Sequence, residues 1–434
     1  MYRPRSTNLP AQHTLSNGLR IVTTPMKHAA SLSLTLAIRA GSLYDPPMRP
    51  GLAHFLEHLI FKSTQDFSRH QIAATMQRCG NRFNPTTSKE MISIAGTVPM
   101  SKVDTALGLV ASVAQRPLFD AHDLETERQV VLEELRDWEV DPSKRIEVLT
   151  DKTLWGSHPL GRDTGGSRAS IREITRQHVR RFHRKFFHPA NAVLSLAGPM
   201  TAEEMIGAAQ RHFGRWRASH HAAFPPRRLR GAGAPSTPQG RRSRVLRRAD
   251  TQQVWFSLST TTPSYPDGYR AVLSTQLAQV LVGDGDGSRL WDGLREQLGL
   301  AYEVYATLDF YADIGVMSAM AAVGRGRAAL ALKETKRILA DTAAAGFTKD
   351  EVMRGKEALS AQIELIAEWN AANAARYAEL ALLDQELVTP AQELAMLKTI
   401  SAREFNAFSR QRLRWDAAAV CAIGEGPALA AITA

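Results

Sequence analysis

An acid-free stretch in the middle of the chain constrains its architecture most. From Met205 to Ala249 there is no Asp or Glu, and the segment "PPRRLRGAGAPSTPQGRRSR" within it is rich in Pro, Gly and Arg. Such a composition is typical of a connecting segment rather than of a packed helix or strand. With 434 residues, the chain is also longer than one compact core usually accommodates. We therefore predict two domains, 1–222 and 250–434, joined by a basic linker at 223–249.

Each half mixes strand and helix patterns. In the first half, "SLSLTLAIRAG" alternates as a half-buried strand does, and "DAHDLETERQVVLEELRDWEVDP" predicts a helix that ends before Pro142. The second half opens with the predicted strand "QQVWFSLST" and continues into Ala- and Leu-rich helices near 326–341 and 349–384. The sequence therefore predicts an α+β class, with two similar α+β domains.

The net charge of +11 is concentrated in the acid-free stretch. Its eleven arginines equal the whole excess of positive charge; they are Arg211, Arg215, Arg217, Arg227, Arg228, Arg230, Arg241, Arg242, Arg244, Arg247 and Arg248. A nucleic-acid binder has such a bias, but no aromatic side chains interleave the later arginines. We favour a solvated linker over an anion-binding patch and expect no nucleic-acid partner.

Composition also narrows the location and the metal chemistry. No window of about 18 apolar residues is present, so we expect no membrane span. The opening "MYRPRSTNLPAQ" lacks an apolar segment with a cleavage pattern, so we expect no secretory signal and a cytoplasmic location. The two cysteines, Cys79 and Cys421, are too few for a disulfide framework or a thiolate metal site. Any bound metal must therefore be held by histidines and carboxylates.

The stretch "HFLEH" has the spacing of a metal site. On a helix predicted from about Pro50 to Lys62, positions i, i+3 and i+4 share one face, and His54, Glu57 and His58 occupy them. Two imidazoles one turn apart can bind one zinc ion, with the glutamate between them as a base for water. The competing interpretation is a helix whose polar groups face solvent. The surrounding apolar residues leave little of the helix for solvent, which favours the inverted zinc motif H-x-x-E-H.

A third protein ligand is predicted on the acidic helix near 120–141. Glu127 and Glu134 are seven residues apart and so share a face, whereas Glu133 points about 100° away from Glu134. One member of the pair can bind the metal and the other can support a ligand or the water. The spacing alone leaves open which member does which, and an acidic solvated face is the alternative.

Several segments together resemble the pitrilysin-type zinc metallopeptidases. They are "NGLRIV", "GLAHFLEHLIFKST", "CGNRFNPTTSKE", "ERQVVLEEL", "HPLGRDTGGSRASIREIT", "FFHPANAVLSLAG" and "GSRLWDGLREQLGLAYEVYA". The length resembles the short-chain branch, which includes mitochondrial processing peptidases and bacterial processing-peptidase-like zinc proteases. The resemblance implies half of a clamshell and one Zn²⁺ per chain. It also implies a bacterial protein that hydrolyses unfolded peptides or short extended segments inside a closed chamber.

The resemblance also implies roles for particular residues. His54, His58 and Glu134 correspond to the zinc ligands, and Glu57 corresponds to the general base. Further catalytic or substrate-binding residues are implied at Glu127, which lies near the metal, at Asn84, which contacts substrate, and at Arg295 and Tyr302 of the second domain. This chain retains both the residues of the zinc motif and the Arg295/Tyr302 pair. Our first expectation is therefore a homodimer, and our second is a heterodimer with a paralogue.

Two features leave alternatives to the simplest prediction. Where the family has Asn-Ala, this chain has Asn84-Pro85, and proline has no N–H to offer an extended substrate. The family also contains inactive structural or assembly subunits, which is the non-enzymatic alternative. Such proteins typically lose metal ligands, whereas all four metal-centre positions remain here. We therefore predict a zinc-dependent endopeptidase.

Overall fold

The chain folds into two compact units, each built from separate stretches of sequence. In a computed structural model, the structure describes residues 9–217, 243–249, 251–425 and 429. Of the described residues, those within 1–135, 163–226 and 365–391 form the first unit, and those within 136–162, 227–364 and 392–434 form the second. Each unit contains one β-sheet together with helices. The predicted α+β class with two sheet-containing parts is therefore confirmed.

The first unit is organised around a six-stranded sheet. Its strands are β1 (Ala11–Thr14), β2 (Arg20–Pro25), β3 (Ser31–Ile38), β4 (Phe83–Thr87), β5 (Ile92–Pro99) and β6 (Ala192–Gly198). They lie in the order β1-β2-β6-β3-β5-β4, so that β4 is an edge strand paired with β5. All these pairs are antiparallel except β2 with β6.

Helices occupy both faces of this sheet. They are α1 (Leu52–Ile60), α2 (Arg69–Arg78), α3 (Val103–Gln115), α4 (Ala121–Val140, which extends into the second unit), α6 (Arg168–Glu173), α7 (Arg176–Phe186), α8 (Ala202–Phe213) and α13 (Asn370–Leu382). Ala374 of α13 packs on Ala197, which pairs with Ser33. Helix α13 therefore covers the face of small and polar side chains, while Leu34 and Leu36 are buried on the other face.

The second unit is organised around a five-stranded sheet in the order β7-β11-β8-β10-β9. Its strands are β7 (Ser243–Arg247), β8 (Gln253–Thr262), β9 (Ala301–Phe310), β10 (Gly315–Gly324) and β11 (Ala419–Gly424). Its helices are α5 (Pro142–Trp155), α9 (Tyr269–Gly283), α10 (Arg289–Trp291), α11 (Ala328–Ala345), α12 (Lys349–Ala367), α14 (Pro390–Thr399) and α15 (Ala402–Arg412). Val254, Phe256 and Leu258 of β8 form a buried core with Leu273 and Leu277 of α9.

The observed units differ from the predicted contiguous domains. Helix α5 packs on β8 and β11 of the second unit, and α13 packs on β3 and β6 of the first. Helix α5 was predicted to lie in the first domain and α13 in the second, so each helix belongs to the opposite unit. Residues 243–247 of the predicted linker form β7 because they pair in parallel with β11. The remainder of that prediction, 223–242, lies outside the described residues. Among the helices described, none is long and apolar enough to cross a membrane.

Candidate metal centre

The start of helix α1 is held from three sides. The carboxylate of Asp45 accepts hydrogen bonds from the amides of Gly51 at 2.7 Å and Ala53 at 2.9 Å. The hydroxyl of Ser170 donates to the carbonyl of Pro50 at 2.8 Å. Gly51 has a φ of 88°, and a Cβ there would lie 2.4 Å from the carbonyl oxygen of Gly165. Only glycine fits this turn, so the helix begins at a well-defined residue.

The metal-binding motif lies on a helix whose other side is buried. Phe55, Leu56 and Ile60 of α1 are buried in the first unit. His54 is also buried, with 7% of its surface exposed, whereas His58 is partly exposed. The Nε2 atoms of the two histidines lie 3.3 Å apart. The predicted pairing of imidazoles one turn apart on one helix face is therefore what the structure contains.

Helix α4 brings both predicted carboxylates to these histidines. Glu134 Oε2 lies 3.6 Å from His54 Nε2 and 3.2 Å from His58 Nε2. Two turns earlier, Glu127 Oε2 lies 3.4 Å from His58 Nδ1, and Glu127 Oε1 lies 2.5 Å from Lys62 Nζ. Glu133 is exposed to solvent. Glu134 therefore faces the donor nitrogens of both histidines, while Glu127 contacts the other ring nitrogen of His58.

The three donor atoms form a triangle of the size that zinc requires. Its sides are 3.3, 3.6 and 3.2 Å, from His54 Nε2, His58 Nε2 and Glu134 Oε2. A tetrahedral Zn²⁺ with bonds of about 2.0–2.1 Å separates its ligand atoms by roughly 3.3 Å. In the part of the chain that the structure describes, these residues are the only group of three metal-type ligands. Two histidines and one carboxylate are a donor set of catalytic zinc sites, so the residues fit the ion.

The pKa values of the two histidines are shifted in opposite directions. Burial, together with the charge of His58, lowers the pKa of His54 to about 4. Burial also acts to lower the pKa of His58, but hydrogen bonds to Glu127 and Glu134 raise it to about 9. The hydrogen bond with His58 lowers the pKa of Glu134. The carboxylates of Glu127 and Glu134 thus favour the charged form of His58.

Glu57 stands beside the triangle without forming part of it. It lies between the histidines on α1, and its Oε2 accepts a hydrogen bond from the hydroxyl of Thr87 at 2.9 Å. Burial raises the pKa of Glu57, although the Thr87 hydrogen bond and the charge of His58 oppose that shift. Thr87 is in β4, so the edge strand of the first sheet directly contacts the residue predicted to be the base.

Asn84 lies on the same edge strand but on its other face. Side chains alternate along a strand, so residue 84 points opposite to residue 87, which contacts Glu57. Asn84 is exposed and lines a cavity of about 400 Å³ together with Thr35, Thr97 and Ala371. Its predicted contact with substrate remains a prediction, and the structure places it on the face that α13 partly covers.

Arg295 and Tyr302 lie together in the second unit. Arg295 is in a π-helical turn (Asp292–Gln297), a rare conformation that is frequent at functional sites. Its guanidinium lies 3.9 Å from the ring centroid of Trp291 and 5.0 Å from that of Tyr302, and it donates to the Tyr302 carbonyl at 3.2 Å. Tyr302 is 74% exposed. The other predicted site residues belong to the first unit.

Sequence reasoning missed four residues that support these groups. They are Asp45 at the start of α1, Lys62 beside Glu127, Thr87 beside Glu57 and Trp291 beside Arg295. Trp291 was detectable, because an aromatic residue four positions before an arginine on a helix predicts a stacked pair. Asp45 and Thr87 contact residues that are separated from them by loops, and sequence spacing does not predict such contacts.

Comparison with known proteins identifies the family. Residues 20–168 match the family model for "Insulinase (Peptidase family M16)", and residues 173–359 match "Peptidase M16 inactive domain". The chain belongs to peptidase family M16. The predicted pitrilysin-type family is therefore confirmed. The metal centre lies in the first of these matched regions.

Relatives agree with this assignment, and a solved structure has a similar fold. An "Uncharacterized zinc protease" of Mycobacterium tuberculosis is 32% identical over 94% of this chain and 92% of its own length. One of Mycobacterium leprae is 34% identical over 81% of this chain and 78% of its own length. The crystal structure of a protease from Helicobacter pylori is similar in fold, with a TM-score of 0.88 at 20% identity, covering 96% of this chain and 100% of that one.

Proposed function

We propose that this M16 protein is a zinc-dependent endopeptidase that cleaves unfolded peptides or short extended segments. The observation that carries the proposal is the triangle of His54, His58 and Glu134, with the Glu57 carboxylate beside it. Relatives named zinc proteases support a peptidase role at the level of the family. The "inactive domain" model matches the region after residue 173, so its name does not concern this centre.

The chain's own residues account for the proton transfers of hydrolysis. The chemistry that zinc supplies when bound is Lewis acidity, which lowers the pKa of water to about 7 and polarises a carbonyl. Glu57 accepts the proton of the attacking water and later donates it to the leaving amine. Thr87 orients the Glu57 carboxylate through its hydroxyl. Glu127 fixes the ring of His58 and thereby the nitrogen that faces Glu134.

The edge strand β4 suits an extended substrate. An added peptide strand gains main-chain hydrogen bonds at an open sheet edge, and Thr87 of this edge contacts the base. Folded segments have their main chain already paired, which favours unfolded substrates. Arg295 is proposed to bind substrate carbonyls or a carboxylate, and the Tyr302 hydroxyl to donate to the oxyanion.

Assembly and location remain predictions. We expect a homodimer with two complete sets of residues, or otherwise a heterodimer with a paralogue. We also expect a cytoplasmic protein. Sedimentation of the purified protein, alone and with a co-encoded paralogue, and fractionation of the host cell test these points.

A peptide-library digest tests the proposal. The purified chain is depleted of metal, reconstituted with one equivalent of Zn²⁺, and incubated with unstructured peptides; cleavage sites are read by mass spectrometry. Cleavage is expected only in the zinc-loaded sample. The non-enzymatic alternative, a structural or assembly subunit, predicts no cleavage in any sample, including one that contains a paralogous partner.

A further inference from the structure

The open edge of the first sheet carries a proline in its middle. Strand β4 runs from Phe83 to Thr87 and pairs with β5 on one side only. Pro85 is its central residue. Proline on an edge strand is tolerated where its nitrogen faces away from the neighbouring strand. The direction of this nitrogen determines which backbone donors and acceptors the open edge offers to a bound peptide.

Hydrogen bonds at the two ends of the β4–β5 pairing determine the direction. The amide of Thr97 donates to the carbonyl of Arg82 at 3.3 Å, and the amide of Ser88 donates to the carbonyl of Met91 at 2.8 Å. In an antiparallel pair, backbone groups of alternate residues face the same side. Residues 84 and 86 therefore also face β5. Residues 83, 85 and 87 turn their backbone groups toward the open edge.

A side-chain contact supports the same assignment. Phe83 pairs with Gly96, and a Cβ at Gly96 would lie 2.8 Å from a ring carbon of Phe83. Directly opposed residues are closest, about 4.5 Å between Cα atoms, when their backbone groups point away from each other. The ring of Phe83 over Gly96 is the contact that such a pair produces.

The open edge is consequently one donor short. Phe83 and Thr87 each offer an N–H and a C=O, whereas Pro85 offers a C=O alone. None of the hydrogen bonds described outside the β4–β5 pairing uses these outward groups. The missing donor is two residues, about 7 Å along the strand, from Thr87, whose side chain bonds the Glu57 carboxylate.

We infer that Pro85 leaves a gap in the hydrogen-bond ladder between β4 and a bound peptide. The inference rests on the proposed function. The peptide lies antiparallel to β4, and the residues opposite Phe83 and Thr87 each exchange two main-chain hydrogen bonds with the strand. The peptide residue opposite Pro85 donates its N–H to the Pro85 carbonyl, but its own carbonyl has no donor. Binding is weaker than on a complete edge, and the carbonyl at that one position contributes nothing to affinity.

A backbone ester scan of a bound peptide reads this gap directly. A peptide that binds the zinc-loaded Glu57→Gln protein is remade with each amide replaced in turn by an ester. An ester weakens the carbonyl before it as an acceptor and removes the N–H after it. Six amide bonds flank the peptide residues opposite Phe83, Pro85 and Thr87, one before and one after each residue. An ester at five of these bonds should raise the Kd by about 3- to 10-fold. An ester at the sixth bond, which follows the residue opposite Pro85, should change the Kd by less than about 2-fold.

The same scan on the Glu57→Gln, Pro85→Ala protein provides the decisive comparison. Alanine restores the N–H, so the unmodified peptide should bind about 3- to 10-fold tighter. The ester after the residue opposite position 85, which has little effect on the parent Kd, should then raise the Kd as much as the other five esters do. Pro99→Ala, at the exposed far end of β5, is the matched control and should leave the scan unchanged. A scan with no silent position, or one that stays silent in Pro85→Ala, overturns the inference.

Three other results can be distinguished from these. Proline also protects an edge from pairing with another copy of the chain. If Pro85→Ala sediments as a larger species while the Kd is unchanged, protection is the role of Pro85 and the inference fails. If the parent protein binds the peptide with the predicted gap but does not cleave it, the inference stands and the proposed function fails. If no peptide binds, both fail.

Discussion

Removal of the Asp45 carboxylate should loosen the helix that carries the metal-binding motif. Asp45 is buried, and it accepts hydrogen bonds from the amides of Gly51 at 2.7 Å and Ala53 at 2.9 Å. These amides belong to the first turn of α1, where no carbonyl of the helix is available to them. In Asp45→Ala, both would be buried without this acceptor.

The magnitude follows from the two lost bonds. A buried N–H left without an acceptor costs about 1–3 kcal/mol, and bonds to a charged acceptor are at the stronger end. Partial relaxation of the turn reduces the sum, so we expect about 2–4 kcal/mol for opening of α1. Asp141 is the matched control, because it caps α5 from an exposed position by accepting from Ser143 at 2.8 Å. Water can replace its carboxylate, so Asp141→Ala should cost about 0.5–1 kcal/mol.

Native-state hydrogen exchange of α1 measures this effect where it occurs. A cost of about 2–4 kcal/mol raises exchange from the opened helix by roughly 30- to 700-fold. Asp141→Ala should accelerate exchange in α5 by less than about 6-fold and leave α1 unchanged. If Asp45→Ala accelerates α1 by no more than Asp141→Ala accelerates α5, the Asp45 carboxylate does not hold the start of the helix.

Two further predictions concern named carboxylates. Glu134→Ala should weaken zinc binding by more than the roughly 10–100-fold typical of residues that only support a ligand, while exposed Glu133→Ala should change it by less than about 3-fold; equal losses in a competition titration with a chelator would contradict the assignment. In the second unit, burial opposes ionisation of Glu351, but hydrogen bonds from Arg289 and Thr348 lower its pKa to about 2. Because the pKa of Glu351 is lower in the folded than in the unfolded protein, its contribution to the free energy of unfolding is complete above about pH 5. About half of this contribution is lost by pH 3 and most of it by pH 2. Partial exposure limits the effect to about 1–2 kcal/mol, so urea unfolding of Glu351→Gln should differ from the parent by that amount at pH 7 and by little at pH 2; a constant difference would contradict the linkage.

The clustering of His54, His58 and Glu134 was predictable because its geometry is local. Positions i, i+3 and i+4 on α1 and a spacing of seven on α4 determine which side chains share a face. Spacing could not decide between Glu127 and Glu134, since both face α1. The difference arises from the axial offset of two packed helices, which places Glu134 at both Nε2 atoms and Glu127 at the far side of His58.

The division into units was not predictable in the same way. Strands and most helices follow from periodicity, as β3 and α4 do, but periodicity does not state which sheet a helix covers. Helix α5 buries Ile146 with Cys421 and Ile423 of β11, about 275 residues away along the chain. The predicted linker also contains β7, because "SRVLR" is too short and too basic to be recognised as a strand before its partner is known.

Turnover by the Glu57→Gln protein at matched zinc content tests the central claim most directly. The parent and the variant are each brought to one Zn²⁺ per chain, verified by elemental analysis, and assayed with the same unstructured peptide. We predict that the variant retains the metal, because Glu57 is not part of the donor triangle, and loses at least about 100-fold in kcat, because the amide of glutamine cannot accept the proton of the attacking water. Equal cleavage by both proteins, or loss of zinc from the variant, would contradict the assignment of Glu57 as the base of a zinc peptidase.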